Sequence, residues 1–160
     1  MLVVLGNQLF PLHHLPKPGA TPVFMAEDVG LCTYERHHQQ KIVLFLAAMR
    51  SYAEELRGAG YDVHYVELDA SDTRTYERKL GKVLEQVGAH RLVHFEIEDK
   101  AMESRLIDFA EAAKLEREEV DALAGQIAAQ LMERRELWLH VHPEFVLRLG
   151  ESSRRLRIDG

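Results

Sequence analysis

A doubly wound α/β fold, a parallel sheet with helices on both faces, is what this sequence predicts, and three observations predict it. Short β-rich segments alternate with helix-length periodic ones. The first segment, Leu2 to Leu5, is aliphatic throughout and so suited to burial on both faces. Glycines or capping residues fall where each period changes. The length of 160 residues is that of one domain. With 46% hydrophobic and 29% charged residues, a core can form without staples.

Leu2 to Leu5 reads as the central strand, ended by Gly6-Asn7. Pro11, Pro16, Pro18 and Gly19 then support neither helix nor ladder, and Val23-Phe24-Met25-Ala26 forms a second strand closed by Glu27-Asp28. From about Tyr34 to Arg57, the residues Ile42, Phe45, Leu46, Met49, Tyr52, Ala53 and Leu56 recur at three- and four-residue steps. That is one buried helix face, with Thr33 as its cap and Gly58 and Gly60 as its stop. Tyr61 to Leu68 alternates as a third strand. Asp69, Ser71 and Asp72 offer caps for a helix from about Thr73 to Val87, with Tyr76, Leu80, Val83, Leu84 and Val87 inward and Gly88 as its stop. Arg91 to Glu96 is a fourth strand, and Ala101 to Lys114 a helix.

The alternation weakens after Leu115. Arg117-Glu118-Glu119 is too charged for a buried strand, Asp121 to Arg134 reads as helix, and Leu137 to Val141 as an edge strand, in which Trp138 beside Leu137 and Leu139 reads as packing. The final stretch, with Arg148, Arg154, Arg155 and Arg157, is expected to be loosely held. The resulting division is a sheet domain over residues 1–115 and a helix-rich extension over 116–160.

Composition narrows the function classes. Lys and Arg number 20 against 26 Asp and Glu, a formal charge of −6, which opposes the broad basic surface of sequence-independent nucleic-acid binding. A single cysteine, Cys32, excludes an internal disulfide framework and a four-cysteine zinc or iron–sulfur site supplied by this chain. Met1 to Gly6 has neither the basic region nor the cleavage site of a signal peptide, and no apolar run nears the roughly 18 residues that span a bilayer. The expectation is a cytoplasmic protein with no membrane segment.

Ligands of open parallel sheets settle beyond the carboxyl ends of the strands, where neighbouring connections diverge. Here that means the turn Leu5-Gly6-Asn7-Gln8-Leu9 and the end of the fourth strand at Glu96. Gly6 allows close backbone approach, while Asn7 and Gln8 offer amides suited to a heteroaromatic edge, although a plain tight turn would use the same residues. Tyr34, His37, His38 and Lys41 stand at i, i+3, i+4 and i+7, a polar start to the stripe that continues into Phe45 and Met49. They read either as crevice residues or as an exposed first turn. Glu96, Glu98 and Asp99 could meet ligand hydroxyls, or Asp99 could simply cap a helix.

Other chemistries find no motif. His13, His14, His37 and His38 lack a third ligand at metal spacing, so no metal site is expected. There is no G-x-S-x-G elbow, no G-x-G-x-x-G loop and no P-loop, and Gly58-Ala59-Gly60 is a helix stop.

Leu5-Gly6-Asn7-Gln8-Leu9, Met25-Ala26-Glu27, Thr33-Tyr34-Glu35-Arg36-His37-His38-Gln39-Gln40-Lys41-Ile42, Ala48-Met49-Arg50 and Tyr65-Val66-Glu67-Leu68-Asp69 together carry a resemblance. They resemble the amino-terminal domain of bacterial photolyase-related proteins, the iron–sulfur branch of the photolyase/cryptochrome superfamily. The likeness covers about Met1 to Leu115, and Tyr34-x-x-His37-His38-x-x-Lys41-Ile42 is its most specific element.

The resemblance implies an α/β antenna domain holding a light-harvesting chromophore, 6,7-dimethyl-8-ribityllumazine or a related flavin-like molecule. By motif position its pocket would be lined by Gly6, Asn7, Gln8, Glu27, Leu31, Tyr34, His38, Ile42 and Phe45. It also implies a separate helical domain carrying FAD, an iron–sulfur cluster and the DNA lesion site. FAD, a partner domain or chain, and DNA thus enter only through a part supplied elsewhere. Many members of the family have Asp where this chain has Asn7.

No cysteine cluster and no helical catalytic domain accompany the match, so the chain is expected to be a truncated reading frame or a free-standing antenna-like domain, not catalytic by itself. Two other functions fit the same architecture: a nucleotide-binding transferase, opposed by the missing phosphate loop, and a non-catalytic interaction module.

Overall fold

Every residue of Val23–Ala26 is buried, and so is the start of the chain beside it, from Met1 to Leu5. The computed structural model describes residues 1–33, 38–69 and 71–120, which belong to one unit of the chain, Met1–Ala122. Its elements are β1 (Leu2–Val3), β2 (Val23–Ala26), α1 (Val29–Thr33), α2 (Gln39–Gly58), β3 (Val63–Val66), α3 (Tyr76–Val87), β4 (Arg91–Phe95), α4 (Lys100–Ala112) and β5 (Glu116–Val120). The strands form a five-stranded sheet in the order β3-β2-β1-β4-β5. Every pairing is parallel, with Leu2 beside both Val23 and Val93. The doubly wound class and the central place of the first strand are as the sequence predicts.

The two faces of the sheet follow from the period of two along each strand. Val3, Leu5, Phe24, Ala26 and Leu92 share one core with Tyr76, Leu80, Val83 and Leu84 of α3 and with Met102, Leu106 and Ala110 of α4. Their neighbours Leu2, Val4, Val23 and Met25 are equally buried on the other face. That is the side of α2, which packs on β3 and buries Met49, Tyr52, Ala53 and Leu56. The Tyr52 hydroxyl donates to the Phe10 carbonyl at 2.6 Å, and the Phe10 ring meets Phe95 edge-on, so the loop after β1 closes that face.

Several boundaries differ from expectation, each for a local reason. The proline-rich loop holds one 3-10 turn, Leu12–His14, which begins after Pro11. The long helix starts at Gln39. Thr33 closes the separate short helix α1 with its hydroxyl donating to the Val29 carbonyl, and His38 caps α2 by accepting from the Gln40 N–H. Asp69 and Asp72 close local turns on Ser71 and Arg74, leaving Thr75 to cap α3. Gly88, at φ 63°, ends α3 in the left-handed conformation that glycine adopts without steric penalty.

The charged segment after Leu115 is a strand after all, though an exposed one. Glu116–Val120 pairs along the whole of β4 at the sheet edge, where charged side chains are tolerated and discourage further pairing. The sheet therefore runs past residue 115. The predicted helix at Asp121 to Arg134, the strand at Leu137 to Val141, Trp138 and the basic tail lie outside the described residues. Among the described residues no helix is long and apolar enough to cross a membrane.

Candidate functional site

From β1 the chain winds outward to β3 on one side, then crosses over to β4 and β5 on the other. The connections leaving β1 and β4 consequently diverge, which opens a crevice at their carboxyl ends. Gln8 fixes the geometry there. It is buried, its Nε2 donates to the Glu96 carbonyl at 2.7 Å, and its own N–H donates to the Leu5 carbonyl at 2.8 Å. One side chain thus ties the turn after β1 to the end of β4.

A cleft of about 440 Å³ occupies this position. The turn after β1 contributes Leu5, Gly6 and Asn7, and the end of β2 contributes Glu27 and Asp28. Cys32 comes from α1, and Lys41, Ile42, Phe45, Leu46 and Met49 come from α2. Tyr76 of α3 and the segment Ile97, Glu98, Asp99 and Met102 complete the lining. A Cβ on Gly6 would stand 2.8 Å from Met49 Sδ, so any larger residue there would push the Met49 side chain aside. Phe45 is 42% exposed, leaving much of its ring available at the cleft wall.

Behind the cleft lies a fully satisfied carboxylate. Glu27 accepts from Arg50 Nε (2.6 Å) and the Tyr65 hydroxyl (2.5 Å) at Oε1, and from Arg50 Nη2 (2.8 Å) and the Leu68 N–H (2.7 Å) at Oε2. An ionised carboxylate has about four acceptor sites, and all are taken. Burial pushes the Glu27 carboxyl up, but the bonds from Arg50, Tyr65 and Leu68 outweigh it and hold the group below the usual range. Lys79, 3% exposed, donates at 3.0 Å to both the Glu27 carbonyl and Asp28 Oδ2. The end of β2 is thereby pinned to α3.

Burial, then the charges of Asp28 and Glu27, push the Cys32 thiol up. Asp99 is engaged as the cap of α4, accepting from the Ala101 and Met102 N–H groups. Among the described residues no group of three or more His, Cys, Asp or Glu is placed to hold a metal ion.

Of the residues singled out from sequence, Gly6, Asn7, Glu27, Ile42 and Phe45 meet at the cleft. Gln8 stands behind the turn as its brace, and His38 is an exposed helix cap. Tyr34 and His37 lie outside the described residues, as does the side chain of Leu31, so the polar stripe can be followed only from His38 onward. Sequence reading passed over Arg50, Tyr65, Asp28 and Lys79 as site-forming residues. A signal existed for Lys79, which sits on the inward stripe of α3 between Tyr76 and Leu80, where a lysine needs a buried partner.

Comparison with known proteins agrees with the resemblance carried by the motifs. A (6-4) photolyase from Agrobacterium fabrum is 38% identical over 76 residues, which make up 45% of this chain and 15% of that protein. The chain thus corresponds to a small fraction of this relative's length. The model of the family described as deoxyribodipyrimidine photo-lyase-related protein matches residues 2–124, well over half of the chain. By sequence, and with the doubly wound sheet that the likeness implies, the chain belongs to the deoxyribodipyrimidine photo-lyase-related protein family.

Proposed function

We propose that this chain is the light-harvesting, amino-terminal part of a photolyase-type protein, holding 6,7-dimethyl-8-ribityllumazine or a related flavin-like chromophore. The observation that carries this reading is the switch-point cleft. Its volume of about 440 Å³ falls within the range for organic cofactors, and apolar walls from Ile42, Phe45 and Met49 face the polar turn of Gly6 and Asn7. Such a site can sandwich a flat ring and meet its polar edge. The light absorption belongs to the chromophore, while the protein supplies orientation and local polarity.

Membership of the photolyase-related family supports the reading. FAD, the lesion chemistry and contact with DNA are assigned to a separate domain or partner chain. The relative's 15% coverage is compatible with that division.

Absorption and fluorescence of freshly purified protein test the proposal. A yellow, fluorescent preparation that releases its chromophore on denaturation, or colourless protein that takes up added ribityllumazine at one equivalent, is expected. Colourless protein that binds neither ribityllumazine nor riboflavin would refute it.

A further inference from the structure

Tyr76, one of the residues lining the cleft, is 1% exposed, and its ring packs edge-on against Phe24 with centroids 5.6 Å apart. Its hydroxyl has no hydrogen-bond partner among the described residues. A phenol in a well-made core normally finds a partner, because an unpaired buried hydroxyl has given up its bonds to water without replacement. The buried polar groups around it are committed: Glu27 to Arg50, Tyr65 and Leu68, and Lys79 to Glu27 and Asp28. The buried hydroxyl of Tyr76 is not, and Tyr76 is among the residues that line the cleft.

We infer that the Tyr76 hydroxyl is a ligand-recognition group, donating a hydrogen bond to an uncharged acceptor, a ring carbonyl or ring nitrogen, on a heterocycle bound in the cleft. The assignment rests on the reading of the cleft as a chromophore site and adds the atom that orients the ring within it. Burial, then the nearby carboxylates Asp28 and Glu77, hold the phenol in its protonated form, so it acts as a donor. The same carboxylates would repel an anionic acceptor. Edge-on packing against Phe24 fixes the ring, so the donor is pre-organised and binding need not immobilise it. Tyr76 is a positioning residue, with no part in bond-making.

Tyr76→Phe keeps the packing and removes the hydroxyl alone, so the variant is expected to fold. Titration of wild type and variant with 6,7-dimethyl-8-ribityllumazine, followed by fluorescence and absorption, reads the assignment. The expected result is a five- to twentyfold loss of affinity in the variant and a shifted absorption maximum of the bound heterocycle, since a hydrogen bond to the ring changes its electronic levels. Without ligand, the variant should melt at or above the wild-type temperature, because an unpaired hydroxyl has been removed.

Equal affinity and an identical bound spectrum would overturn the assignment while leaving the chromophore reading intact. A lower melting temperature of the ligand-free variant would also overturn it, by showing that the fold itself uses the hydroxyl. If wild type binds no ribityllumazine, the chromophore reading fails and this assignment with it.

Discussion

Glu27 shows how a single residue at a strand end can look like a ligand contact and serve the scaffold as well. Its position after an apolar strand was legible in the sequence, but its partners were not. Arg50 and Tyr65 lie 23 and 38 positions further along the chain, and only the pairing of β2 with β3 and the packing of α2 bring them in. Glu27→Gln should lower stability near neutral pH by about 2–3 kcal/mol. This is less than the 3–5 of a fully buried pair, because half of the Arg50 side chain is exposed and can be hydrated. The folded carboxyl titrates below the reference value of 4.5, so its contribution is complete above about pH 4.5 and is lost as pH falls through the folded value. Denaturant midpoints at pH 7 and pH 3.5 check this, and the gap between wild type and variant should be smaller at the lower pH. An equal gap at both would show that the charge is not its source.

At the scale of elements, the strands and helices were readable where one local signal acted alone. Val23–Ala26 is a continuous apolar run between breakers and was placed to the residue. Gly88 stops α3 as its type suggests. The start of α2 was misplaced because Thr33 is a good cap and the stripe extends backward through Tyr34. His38 instead has extended backbone, φ −63° and ψ 135°, and receives the Gln40 N–H on Nδ1 at 3.2 Å. This matters for the cleft, since the first turns of α2 carry Lys41, Ile42 and Phe45. His38→Ala should cost about 0.5–1 kcal/mol by loss of the cap. It should also weaken ribityllumazine binding by fraying that end of the helix, while His38→Asn, which can cap, should restore both. Failure of the Asn variant to restore affinity would mean that the imidazole acts on the ligand directly.

Over the whole molecule, the parallel sheet order and its switch point located the cleft before any contact was known, since that position depends on strand order and handedness alone. Charge at the cleft could not be placed that way, because it depends on which carboxylates acquire partners. Glu27 and Asp28 are paired with Arg50 and Lys79, whereas Glu98 and Asp99 contribute exposed acidic residues to the lining, against Lys41 as the one cation among the described lining residues. The chain as a whole carries a formal charge of −6, so the distant field adds to the local one. Like charges about 4 Å apart cost about 1 kcal/mol per pair in bulk water and more where water is thinned, so a doubly charged phosphate facing these carboxylates should lose about tenfold in affinity. Riboflavin and its 5′-phosphate differ by that group alone. Titrated side by side, the unphosphorylated flavin should bind about ten times more tightly at low salt, and the difference should narrow as salt screens the carboxylates. Equal affinities at low ionic strength would place a cation at the phosphate and return the site to the nucleotide-binding class. A difference that does not respond to salt would trace the preference to shape and leave the rim carboxylates without a part in it.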